Sequence, residues 1–126
     1  EVNVGLWPMM IGALIVRNMP RRAAWEMVLL GEQFDAQRAL HHGLITRVVP
    51  AEQLDVEVDA VAQQLAAKSP IGLRIGKQAF SAMADMPFEQ AVDYLAGKLD
   101  ELLATEDARE GMRAFQEKRR PNFTGH

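Results

Sequence analysis

The sequence predicts a mainly helical chain with one or two minor strands. Three observations lead there. Apolar residues recur at helical spacing over long stretches, as in Leu54, Val58, Val61 and Leu65. Start and stop signals bracket those stretches, such as Ser69-Pro70 ahead of one helix and Gly31 behind another. Strand material is scarce: a short extended piece at residues 2–5, with alternating valines, and LITRVV at residues 44–49. A lone strand with unpaired edges is unstable in water. LITRVV is therefore expected to pair with something outside this stretch.

The elements follow in order. Pro8 opens a short helix over 9–17 that is apolar on nearly all sides, which predicts burial; Gly12 weakens it and marks a close approach of backbone or ligand. Asn18 and Met19-Pro20 stop it. The next helix, 21–30, turns Ala24, Met27 and Val28 to one side. Asp35 caps a short helix over 36–42, closed by Gly43, and Pro50 ends the LITRVV strand. A longer helix over 51–68 carries the Leu54 stripe. Ser69-Pro70 starts a helix over 71–84, broken at Asp85-Met86-Pro87. The helix over 88–103 has Phe88, Ala91, Val92, Leu95, Leu99 and Leu102 on one stripe. Thr105 caps the last helix, which starts near Glu106 and stops before Pro121.

Composition narrows the function. The chain has 126 residues, 48% of them hydrophobic, enough for one domain with a real core. A net charge of −3 argues against a nucleic-acid partner. The absence of cysteine excludes disulfides and thiolate zinc sites, and cytoplasm is the plain expectation. No apolar run is long enough to span a membrane. Basic residues gather at Arg17, Arg21 and Arg22 and again at Lys118, Arg119 and Arg120, which suits a small anion such as a phosphate group. The chain opens on Glu1 as if in mid-strand, which reads as a later piece of a longer protein.

Few residues offer chemistry. Glu1 stands before the apolar segment VNVGLWPMM, where a carboxylate against apolar walls has a raised pKa and can move protons; an exposed terminus is the plainer reading. His41 and His42 are adjacent and point about 100° apart on a helix, so they cannot chelate one ion well, and no HExxH spacing exists. Gly5, Gly12 and Gly31 do not form a phosphate-cradling loop. Ser69 is a cap, without a nucleophile elbow around it. The most informative stretch is EDAREGMRAFQEKRRPNF, residues 106–123. Its acids and bases at Glu106/Arg109, Glu110/Arg113 and Arg113/Glu117 are spaced to pair along the helix. Gly111 points to a close neighbour. Phe115 and Lys118 lie three apart, an aromatic edge beside an ammonium, which suits a flat ring bearing phosphates; Phe115 in a core and Lys118 in solvent is the competing reading.

Four segments in this order resemble the C-terminal half of the enoyl-CoA hydratase/isomerase, or crotonase-like, superfamily. EVNVGLWPMM is similar to the family's PE-x3-GL-x-P segment from its Glu onward. AWEMVLLGEQFDAQRALHHGLITRVVP is similar to the block that runs through L-x-G to A-x-x-A-x-x-x-G-L-V. SPIGLRIGKQAF and EDAREGMRAFQEKRRPNF complete the likeness, which covers essentially the whole chain.

The resemblance implies an α/β fold, the crotonase-like (ClpP/crotonase) ββα spiral. Residues 1–50 would hold the last core segment with pocket-forming helices, and residues 51–126 a helical region that covers acyl-CoA and builds trimers or hexamers. It implies an acyl-CoA thioester substrate, with coenzyme A part of the substrate and no separate cofactor or metal. It also implies hydration of the 2,3 double bond with Glu1 as general acid/base. The first glutamate and the two oxyanion N–H groups would lie in the missing N-terminal half of the same protein, so this stretch alone should be inactive. Phe115 and Lys118 match the positions that contact adenine and phosphate. Met9 and Met10 depart from the glycine-rich run of many hydratases and would reshape the acyl slot. Double-bond isomerisation in the same family, or a non-catalytic helical oligomerisation module, are the alternatives.

Overall fold

Seven α-helices and two single 3-10 turns make up the regular structure of the computed structural model, which describes residues 1–126. There is no β-strand. The expectation of an α/β chain carrying the last ββα core segment is therefore corrected. The valines at Val2–Val4 wind into a 3-10 turn, with the Val4 N–H donating to the Glu1 carbonyl and the Gly5 N–H to that of Val2. Residues 44–49 run as irregular chain. Strand propensity without a neighbouring strand leaves the ladder groups unpaired, so neither segment has a reason to extend.

The chain forms two compact units, Glu1–Leu54 and Asp55–His126. In the first, α1 (Met9–Asn18) packs on α2 (Arg21–Leu30), and α3 (Ala36–His41) follows. Ile15, Met19, Ala23, Ala24 and Val28 form the buried cluster, with Met27, Phe34 and Leu44 against it. The predicted face of α2 thus does turn inward. Gly31 ends α2 at φ 61°, and a Cβ there would stand 2.6 Å from a Val2 methyl, so the position needs glycine twice over. The Asp35 carboxylate caps α3 by accepting from the Arg38 N–H at 2.7 Å. Helix α1 forms as expected but is not buried: Ile15 is its one buried residue, and Met10 is 88% exposed. Nothing in this unit covers its remaining apolar surface.

In the second unit, α4 (Leu54–Ala66) has no buried residue, so its apolar stripe lies open. Helices α5 (Pro70–Met83), α6 (Phe88–Leu103) and α7 (Glu106–Gln116) pack on one another around Ile75, Ala79, Ala91 and Ala114. Ser69 caps α5, accepting from the Gly72 N–H at 3.0 Å, and Thr105 caps α7, accepting from the Ala108 N–H at 3.1 Å. These starts match the sequence signals. No helix is long and apolar enough to cross a membrane.

Candidate functional site

Glu1 lies in the first unit, at the mouth of a cavity of about 150 Å³ lined by Pro8, Ile15, Met27, Val28, Gly31 and Glu32. Its carbonyl accepts from the N–H groups of both Val4 and Leu6, which fixes the backbone at the start of the turn. A larger, mostly apolar cleft of about 380 Å³ opens beside it, between Trp7, Pro8, Met9, Gly12 and Ala13 on one side and Ala24, Trp25 and Val28 on the other. The two indoles meet at 6.3 Å, tilted. Met9 lines this cleft and Met10 does not. Gly12 also lines it, and a Cβ there would meet nothing within 4 Å, so space does not demand the glycine.

In the second unit Phe115 lies in the last turn of α7 and Lys118 just beyond its end. Helix α7 closes in a Schellman motif: the Lys118 N–H donates to the Phe115 carbonyl at 3.2 Å and the Arg119 N–H to that of Ala114 at 3.0 Å. The residue in the left-handed position of this motif is usually glycine. Here it is Lys118, at φ 53°, the one non-glycine residue with positive φ. Phe115 is 86% exposed, which removes the reading that buries it in a core.

Two carboxylates organise the surroundings. Glu110 binds Arg119 through both oxygens, at 2.5 and 3.0 Å, and accepts from the Asn122 N–H at 3.0 Å. Arg119 also reaches Glu117 at 2.6 Å and the Arg120 carbonyl at 3.2 Å. These bonds, from Arg119 first and the Asn122 N–H next, hold the Glu110 carboxyl down to about 2. The same carboxylates push the Arg119 guanidinium above its ordinary value. Glu110 thus bonds to Arg119, nine residues on, while Arg113, its neighbour by helical spacing, acts on it only through its charge.

Asp107 is the one buried charged residue, 2% exposed. Its carboxylate accepts from Ser69 Oγ at 2.7 Å and from the N–H groups of Thr124 and Gly125 at 2.7 and 3.1 Å, while its own N–H donates to the His126 carbonyl. Burial pushes this carboxyl up, and the hydrogen bonds from Ser69, Thr124 and Gly125 outweigh it, leaving it below the usual range. The tail so pinned lays Phe123 beside Gly111, whose missing Cβ would stand 3.6 Å from the ring, an ordinary contact. No backbone or ligand approach demands glycine at 111, since a Cβ there would only touch the Phe123 ring. Asp107, Glu110 and Arg119 were not predicted as a group. An acid in the first helical turn, as Asp107 is, suits the helix dipole and draws no notice, Glu110 sits at helical spacing from Arg113, and the partners of both lie far along the chain.

No group of three or more His, Asp or Glu side chains is placed to hold a metal ion. The model for the family described as enoyl-CoA hydratase/isomerase matches residues 1–126. The chain belongs to the enoyl-CoA hydratase/isomerase family. Enoyl-CoA hydratase domain-containing protein 3, mitochondrial, of Rattus norvegicus is 38% identical over 120 residues, which is 95% of this chain and 40% of that protein. A probable enoyl-CoA hydratase of Mycobacterium tuberculosis is 34% identical over 125 residues, 98% of this chain and 49% of that protein. The crystal structure of an enoyl-CoA hydratase from Mycobacterium smegmatis superposes with a TM-score of 0.94 at 34% identity, covering 97% of this chain and 48% of that one. The chain therefore spans about half or less of the length of the relatives it matches. The rat relative is mitochondrial by name, as are its Mus musculus and Homo sapiens counterparts, and this overturns the cytoplasmic expectation.

Proposed function

We propose that this chain is the acyl-CoA-covering part of an enoyl-CoA hydratase, with Phe115 and Lys118 contacting the adenine and phosphate groups of coenzyme A. The observation that carries the reading lies at the end of α7: a phenyl ring left 86% in solvent, and three residues on a lysine held at φ 53°. Solvent gains nothing from an exposed phenyl, and glycine would take the left-handed position without strain. Both features make sense when a flat ring stacks on Phe115 and an anion meets Lys118. Glu1 is the general acid/base in this reading, and the apolar cleft between Trp7 and Trp25 offers a wall to an acyl chain. The oxyanion donors and a second carboxylate come from residues outside these 126, as do the contacts that complete a trimer or hexamer.

The test is coenzyme A binding by the full-length protein, measured by calorimetry. Phe115→Ala and Lys118→Ala should each weaken binding by roughly tenfold, the scale of one lost stacking or charge-assisted contact. Unchanged affinity in both variants would remove these residues from the site. Hydration and isomerisation are then separated by product: a 3-hydroxyacyl thioester from the first, a shifted double bond from the second.

A further inference from the structure

We propose that Arg119 is a positioning residue, which sets Lys118 in its left-handed backbone conformation and so aims the Lys118 ammonium at the coenzyme A phosphates. The proposal rests on the reading of Phe115 and Lys118 given above. Four observations carry it. Lys118 is flanked in sequence by Glu117 and Arg119, and these two side chains are tied to each other at 2.6 Å, across the residue with positive φ. The same guanidinium is anchored to the body of α7 by its two-pronged contact with Glu110. The Arg119 N–H makes the outer bond of the Schellman motif, to the Ala114 carbonyl, so the residue holds the turn by backbone and side chain together. Glu110 also takes the Asn122 N–H, which fixes the chain leaving the turn. The bend that presents Lys118 is thus closed on both sides by one guanidinium–carboxylate fork. A lysine in place of Arg119 would keep the charge and lose the fork.

A double-mutant cycle in the full-length protein decides it, with Kd for free coenzyme A and the kcat and KM of the acyl-CoA reaction as readouts. Lys118→Ala tests the underlying reading. If that variant binds coenzyme A like the wild type, the reading falls and the inference falls with it. If Lys118→Ala weakens binding, Arg119→Gln and Arg119→Lys are each expected to weaken it roughly tenfold. The loss should appear in KM and not in kcat. Combining Arg119→Gln with Lys118→Ala should weaken binding no further than Lys118→Ala alone, because Arg119 acts through Lys118. Wild-type affinity in a folded Arg119→Gln protein would overturn the proposal, and so would losses that add. Glu110→Gln keeps the side chain's size but turns one accepting oxygen of the fork into an NH2 donor, and stands in for Arg119→Gln where that variant does not fold. Its expected signature is the same loss in KM, absent in the Lys118→Ala background.

Discussion

At the scale of single residues, side chains that look ordinary in sequence hold the turns in place. Asp107 reads as a helix's usual N-terminal acid and Glu110 as a surface partner for Arg113, yet one pins the last three residues and the other closes the turn at Lys118. Gly31 is the opposite case, a residue whose role the sequence states openly. At φ 61°, with a Val2 methyl 2.6 Å from where a Cβ would stand, Gly31→Ala should destabilise the first unit by more than about 1 kcal/mol. Thermal or denaturant unfolding of the full-length protein measures this. A stability equal to wild type would mean that the 3-10 turn at Val2–Val4 moves aside at no cost. Phe115 and Lys118 were read as neighbours from helical spacing, but α7 ends at Gln116 and Lys118 stands beyond it, in the turn. Their exposure and the strained φ at Lys118 were not legible, since both depend on where the tail goes.

At the scale of elements, the helices were readable and the strands were not. Ser69, Asp35 and Thr105 each cap the helix that the sequence assigned to them, because capping is a local bond between a side chain and an N–H three residues on. The extended reading of residues 2–5 and 44–49 rested on β-branched residues, and a strand is decided by its partners. Helix α7 and its tail also carry a pH dependence. The Glu110 carboxyl is held at about 2 against an ordinary 4.5, and Asp107 is shifted the same way. A depressed carboxyl contributes stability that is full above its unfolded pKa and is lost as pH falls through its folded one. The turn at Lys118 should therefore stay closed at neutral pH and loosen only as pH drops from about 4.5 towards 2. The amide shift of Asn122, whose N–H donates to Glu110, should titrate in that window by NMR. A midpoint at the ordinary carboxylate value would mean that the Arg119 fork does not form in solution.

At the scale of the molecule, apolar surface and the comparisons point the same way. Met10 at 88% and Phe88 at 82% exposed are costly in water, and relatives run to about twice this length. Local sequence told how each helix starts and stops but not how little of α1 its own unit buries, since only Ile15 of that helix is covered. The most direct test of the account is hydration of crotonyl-CoA by the full-length protein and its Glu1→Gln variant, followed by loss of the conjugated thioester absorbance. The account predicts turnover by the wild type and a fall in kcat of roughly 10²–10⁴-fold in the variant, the usual contribution of a positioned acid/base, with coenzyme A affinity kept. No hydration by the wild type, or full kcat in the variant, would contradict it.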